Sequence, residues 1–367
     1  MNRRNFGQLA RLAVCCLLLI VIFHAIFCNE AQLALADEGR TGDWDRMSSW
    51  QRRHYAWTQG PWMLIQTVRR LDPVRLTSAF ALCGILIFLG GLRWREALRV
   101  QGLVLSLMEI TRISFVAHFF NAFLLGSTGG DVWKAYAVAR LTHHKKAEAA
   151  LTVFVDRLVG ILALLLFALL FAILNRDFFV RFRLYYGVGL AILGMLLVAS
   201  VAVGIGLFTD LLGSSSRLGR LAIRFPWMEG PVRALAACRL FGRDIRFLVL
   251  SSLLSLLINL AIVGTFVSLA MGLGLHLPSL LLWFVVPAVV CLSALPITPS
   301  GLGVRESLFV YLLTVEFPGM AVKHSEALTL SLLGYSMNLA WSALGGLIYL
   351  TVRKGIPVSD AATKPPV

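Results

Sequence analysis

Charge is scarce in this sequence. Of its 367 residues only 14% are Asp, Glu, Lys or Arg, against 58% that are hydrophobic, and the mean hydropathy is +0.79. A soluble chain of this length needs more charge to cover its surface, so an all-α polytopic membrane protein is the expected class. Acidic residues are scarcest, 19 against 34 Lys and Arg, which leaves a formal charge of +15. The basic residues sit in short loops between apolar runs, not in a patch with interleaved aromatics. Positive-inside loops and anionic headgroups account for them, and no nucleic-acid partner is expected.

Metal-ligand and catalytic spacings are also missing. Five of the six cysteines (Cys15, Cys16, Cys28, Cys83, Cys291) lie in apolar runs and read as small apolar residues, not as a disulfide framework. The seven histidines include no zinc spacing such as H-E-x-x-H, no Walker motif is present, and nothing resembles an activated Ser or Cys. Neither a metal nor a cofactor is expected, and no constellation supports a catalytic role. Asp43-Trp44-Asp45 has the D-x-D form of metal-dependent glycosyltransferases, but it falls in a segment placed outside the cell by the topology below.

What the chain does have is apolar runs. Six are long enough to cross a bilayer, at about 9–28, 76–92, 147–174, 184–208, 247–271 and 326–352, the second of them short. Two more, 103–125 and 280–317, are interrupted. At the N-terminus Met1–Arg11 is basic, Leu12–Phe27 is apolar and Ala34-Leu35-Ala36 has the form of a signal-peptidase site. An uncleaved first span agrees better with the topology count. The expected organisation is this span with an external loop (1–75), a membrane domain (76–352) and a cytoplasmic tail (353–367).

Charge bias orients the set. Arg3, Arg4 and Arg11 place the N-terminus inside, and the loop 29–75, with seven Arg against six acidic residues, is then external. Arg93, Arg95 and Arg99 belong inside, as do Lys134, Arg140, Lys145 and Lys146. The loop 209–246, with seven Arg against three acids, and the end Arg353-Lys354 are inside too. The count closes when 103–125 re-enters from the cytoplasmic face and 280–317 from the outer face. Both termini are then cytoplasmic, in a multi-pass protein of the cell inner (cytoplasmic) membrane. Six spans plus two re-entrant helical pairs make two similar units of opposite sidedness, the inverted repeat that places substrate sites near the midplane in transporters. The other reading lets 103–125 simply cross and makes the symmetry accidental.

The breaks hold the polar residues. Pro296–Glu306 interrupts an apolar stretch with Pro296, Pro299, Gly301, Gly303 and the adjacent Arg305-Glu306. An intramembrane charge costs roughly 2.5–3.5 kcal/mol on insertion scales, so the break needs protein or a polar cavity around it. Gly126, Gly129 and Gly130 allow a second turn, which feeds a helix carrying Asp131, Lys134 and Arg140. That helix start is either capped by Asp131 or receptive to a headgroup. Asp156-Arg157 sits early in a span, as a functional pair or as an ion pair that locks packing. Glu109, Arg112, His118 and Asn121 make 103–125 unusually polar, which suits a wet vestibule or a partly interfacial helix. Arg217, Arg220 and Arg224 share one helical face, as in a helix lying on the inner leaflet.

Three ordered motifs, G-G-D-V-W-K-A-Y-A-V-A-R (129–140), V-D-R-L-V-G (155–160) and P-I-T-P-S-G-L-G-V-R-E (296–306), stand with Arg93-Trp94. Together they resemble the flippase-like membrane domain of the lysylphosphatidylglycerol synthase family, UPF0104, over about residues 76–352. Leu125, Ser300 and Asp156 depart mildly from that family, which often has proline, glycine and glutamate there. No soluble aminoacyl-transferase domain follows residue 352 in this sequence, so lysyl transfer by this chain is not expected. The resemblance implies movement of a lipid, an anionic phospholipid or a polyprenyl-linked lipid, between leaflets. Asp131, Lys134, Arg140, Asp156, Arg157, Arg305 and Glu306 would line the route. The rival readings are a membrane enzyme or subunit of lipid or polyprenyl glycosylation, and a non-transporting scaffold; a homo-oligomer is left open.

Overall fold

The computed structural model describes residues 20, 24, 27–28, 30–32, 34–35, 38–122, 129–141, 146–174, 176, 183–208, 238–275, 277, 279–293, 304–314, 322 and 324–351. In chain order its helices are α1 (Thr41–Arg46), α2 (Ser49–Arg70), α3 (Pro73–Val100), α4 (Leu107–Asn121), α5 (Gly129–Leu141), α6 (Lys146–Leu174), α7 (Arg183–Phe208), α8 (Ile245–Gly272), α9 (Ser279–Ser293), α10 (Val304–Leu313) and α11 (His324–Thr351). No strand occurs among the described residues. The protein is all-α.

Among the described residues three stretches, Pro73–Val100, Ala147–Leu174 and Ile245–Gly272, are both long and apolar enough to cross a membrane. At 1.5 Å per residue their 28 residues extend about 42 Å, beyond the roughly 30 Å hydrocarbon core. Only 22% of the most apolar window of Ala147–Leu174 is buried. Its outward Leu166, Leu170 and Ile173 have lipid, not water, as their natural solvent. α11 is equally long but less apolar, because Thr329, Ser331, Ser336 and Ser342 punctuate it. All four are buried and so face protein, not lipid. Most of the run 9–28, and Arg217, Arg220 and Arg224, lie outside the described residues.

The segment 29–75 is not simply a loop, since α1 and α2 occupy much of it. The short run 76–92 extends at both ends into α3, so that Arg93, Arg95 and Arg99 are helical. The extension has local causes. Pro73 opens α3 with its φ already set, and Asp72 Oδ1 accepts the Val74 N–H at 2.9 Å. At the other end Leu103 N–H reaches Leu98 O and Gly102 N–H reaches Arg99 O, both at 2.9 Å, with Gly102 at φ 66°. That left-handed closure needs a residue without Cβ. α8 ends in the same way at Gly274, φ 70°.

The two interrupted stretches become helical pairs. α4 has 15 residues, α5 has 13, α9 has 15 and α10 has 10. The longest of these extends about 22 Å, too short to span. A long helix, two short ones and a long one thus occur in order twice, as α3–α6 and as α8–α11. Glu109 finds a structural task here. Its Oε2 accepts the Ser106 N–H at 2.8 Å while Ser106 Oγ accepts the Glu109 N–H at 3.3 Å, a capping box that starts α4.

The chain divides into two compact units. The first comprises residues 1–85, 118–129 and 261–353, with Phe119, Tyr335 and Leu339 in one buried cluster and Ala31, Leu35, Trp44 and Ala56 in another. Within it α10 packs on α9 and on α11. The second comprises residues 86–117, 130–260 and 354–367, and its core includes Trp94, Leu98, Ile110, Ile113, Val138 and Phe241. Within it α6 packs on α7.

Asp244 caps α8 and gives the fold a pH-dependent joint. Its Oδ1 accepts the Phe247 N–H at 2.9 Å and its Oδ2 accepts from Arg99 at 2.8 Å. The amide hydrogen bond, then Arg99, holds its carboxyl below the ordinary 3.8. A depressed folded pKa means that stabilisation is complete above 3.8 and fades as the pH falls through the lower folded value. Asp244→Asn keeps a capping oxygen. Unfolding midpoints measured between about pH 6 and about pH 2 should fall less steeply in Asp244→Asn than in wild type; identical slopes would remove Asp244 from the acid response.

Candidate functional site

The polar centre of the second unit is built on one stripe of α6. Thr152, Asp156 and Gly160 recur every fourth residue and so share a face. Each meets α3. Trp94 Nε1 donates to Thr152 Oγ1 at 3.2 Å, and Arg93 Nε donates to Asp156 Oδ1 at 2.7 Å. The Arg93 guanidinium lies against Gly160, where an added Cβ would stand 2.8 Å from Nη2. Its Nη1 donates to Ser255 Oγ of α8 at 3.0 Å. A glycine at position 160 therefore makes room for the cation that Asp156 holds.

Lys134 of α5 completes the group. Its Nζ lies 4.0 Å from Asp156 Oδ2, beyond hydrogen-bond length, and 5.0 Å from the centroid of the fully buried Trp94 ring. Arg93, Lys134 and Asp156 are all close to nine-tenths buried. Two cations thus share one carboxylate, and the trio carries one net positive charge. Beside it Arg157 Nη1 donates to Asp131 Oδ2, a neutral pair that is about one-third exposed. Asp156 and Arg157 are thus each in an ion pair, but with different partners, Arg93 and Asp131.

The first unit carries a smaller charge pair. Arg305 and Glu306 lie in the first turn of α10, not in the turn before it, and Arg305 Nη2 donates to Glu306 Oε1. The guanidinium sits 4.3 Å from the Tyr335 ring centroid of α11. Its buried Nε has no hydrogen-bond partner among the described residues. Glu30, placed in a loop by sequence, is fully buried and accepts from Ser336 Oγ at 3.5 Å.

Not every residue singled out by sequence enters these groups. Arg140 is at the end of α5 and turns back to Tyr136, donating to its hydroxyl at 3.3 Å. Gly129 and Gly130 open α5, whereas Gly126, Pro296, Pro299, Gly301 and Gly303 lie outside the described residues. His118 carbonyl accepts from Ser342 Oγ at 3.3 Å, a packing contact with α11. Asp43 and Asp45 do not form a shared ligand pair. Asp43 holds Arg40 at 2.8 Å, Asp45 lies 4.0 Å from Arg52, and Trp44 between them is buried. Ser255 and Thr152 have no sequence signature, because each is a lone hydroxyl in an apolar run.

Long helices with outward apolar faces, around buried ion pairs, define a multi-pass integral membrane protein. Within that class the chain belongs to the lysylphosphatidylglycerol synthase TM region family, whose model matches residues 55–345. This is an integral membrane protein linked to lipid metabolism. The match begins within α2, upstream of the boundary at 76 drawn from sequence. No curated protein matches the chain.

Proposed function

We propose that this protein moves an anionic lipid, or a lipid-linked anionic headgroup, between leaflets, and that Arg93, Lys134 and Asp156 receive that headgroup. The observation that carries the reading is the shared carboxylate. Asp156 is committed to Arg93 by a hydrogen bond, while among the described residues Lys134 is held by a 4.0 Å contact and an aromatic face. A phosphate oxygen gives the ammonium a charge-assisted hydrogen bond, worth about 1.5–3 kcal/mol, that Asp156 does not supply. Arg93 and Asp156 keep their mutual contact as the headgroup arrives, so no buried charge is left alone. Arg305, backed by Glu306 and Tyr335, serves the headgroup in the first unit. The acyl chains stay in the bilayer throughout.

The test uses the full chain reconstituted into vesicles with a fluorescent phosphatidylglycerol and a membrane-impermeant bleach. Wild-type vesicles should lose inner-leaflet fluorescence faster than empty ones. Lys134→Ala should slow that loss about tenfold, equivalent to about 1.4 kcal/mol in the barrier. Arg140→Ala, which alters an arginine outside the shared-carboxylate group, should remain near wild type. Equal rates with and without protein would end the proposal.

A further inference from the structure

The exposed face of α2 is not explained by lipid movement. Its opposite face is packed, since Ala56 is fully buried, Met63 packs against the Ala31, Leu35 and Trp44 cluster, and a Cβ on Gly60 would strike Phe27. Yet Trp50 is 72% exposed, Trp62 55% and Ile65 44%. At roughly 100° per residue, Trp50 and Trp62 stand about 60° to either side of Ile65, so the three form one outward arc. Arg53 and Arg69 are exposed on the same helix. Bulky aromatics this bare are costly in water.

We propose that α2 lies along the membrane surface, with this arc seated at the boundary between lipid headgroups and acyl chains. Three observations select lipid over a protein partner. Only Leu71 and Asp72 separate α2 from α3, a helix apolar and long enough to span, so the end of α2 is tied to the membrane plane. The indole joins an apolar ring to one N–H donor, the chemistry that collects at headgroup depth. The exposed arginines complement lipid phosphates, as on amphipathic helices that lie in the interface. From Trp50 to Ile65 the arc runs about 22 Å. A helix standing upright on α3 would carry its first tryptophan far into water, whereas a helix lying flat puts the whole arc at one depth. This inference does not depend on whether the protein moves lipid.

The experiment compares wild-type full-length protein with Trp50→Phe/Trp62→Phe in vesicles of the same phospholipid. Far-UV circular dichroism checks that both are folded. Tryptophan emission is quenched in parallel with acrylamide, with lipids brominated near the carbonyl end of the chain and with lipids brominated near the methyl end. The difference between the proteins isolates two of the nine tryptophans. It should be lost mainly to the carbonyl-end bromines, with a clearly smaller loss to the methyl-end set. Strong acrylamide quenching without bromolipid quenching would put the arc in water and overturn the inference. Stronger quenching from the methyl end would mean a spanning helix, and protection from all three would mean a protein cover; either outcome overturns it as well. A Lys134→Ala protein should give the same quenching pattern, which separates this result from failure of the lipid-movement proposal.

Discussion

Asp156→Asn should destabilise the protein by about 3 kcal/mol, because removing one member of a buried ion pair leaves uncompensated charge. The amide still accepts one hydrogen bond from Arg93, which keeps the loss at the lower end of the range for such changes. What it cannot do is neutralise Arg93 and Lys134, both buried beside it. The same reasoning predicts strong coupling. Among the described residues, Arg93→Gln alone leaves Asp156 with the more distant Lys134, whereas Arg93→Gln/Asp156→Asn removes one charge of each sign. In denaturant titrations of the detergent-solubilised protein, the double variant should be more stable than the sum of the singles by about 1 kcal/mol or more. Simple additivity would mean that the two side chains do not act as a pair.

Gly84→Ala is the second large effect, an expected loss of about 2 kcal/mol from overpacking. A Cβ on Gly84 would stand 2.4 Å from Cζ2 of Trp341. The indole has little room to retreat, since its Nε1 donates to Phe80 O at 2.8 Å and its ring stacks on Phe80 with centroids 4.7 Å apart. Close approach of two membrane helices at a small residue depends on that missing methyl. Gly90→Ala on the same helix is the control, with nothing within 4 Å of its Cβ position. It should be neutral or stabilising by up to about 1 kcal/mol through helix propensity. Equal unfolding midpoints for the two alanine variants would show that the contact at Trp341 does not matter.

These predictions fall on residues that were legible to different degrees. Asp156 stood out from sequence because a charge inside an apolar run is rare, Lys134 because it follows the Gly126–Asp131 turn on a helix, and Trp94 because it stands beside Arg93 in a recognisable pair. Gly160 was visible only as the end of V-D-R-L-V-G, and its use, the space for the Arg93 guanidinium, needed the neighbouring helix. Arg93 itself reads from sequence only as part of a basic cytoplasmic stretch, since hydropathy falls where Arg93, Arg95 and Glu96 cluster although the helix runs on to Val100. Their cross-helix partners explain how it does so. Arg93 meets Asp156, and Arg99 meets Asp244 at 2.8 Å. Hydropathy averages over a window and has no term for a charge neutralised by a distant helix.

The segment before α3 teaches the same lesson. Its Trp and Arg content marked it as unusual, but α2 has polar residues on both flanks and a low mean apolarity. A 22-residue helix with Pro61 inside it is not an obvious reading of such a string. Folding decided it through Ala56, Gly60 and Met63, whose spacing matches a contact surface supplied by Phe27, Ala31 and Leu35.

By itself the sequence determined the class, the helical character and the local signals that start and stop helices. Those properties follow from composition and from interactions within one or two turns, such as the Ser106–Glu109 capping box and the glycine closures at Gly102 and Gly274. Only the tertiary structure decided which charges meet. Arg93 and Asp156 are 63 residues apart, and Arg93 and Ser255 are 162 apart. A buried charge takes whichever counter-charge the packing of apolar helices brings within about 3–4 Å, because the cost of leaving it alone exceeds any local preference.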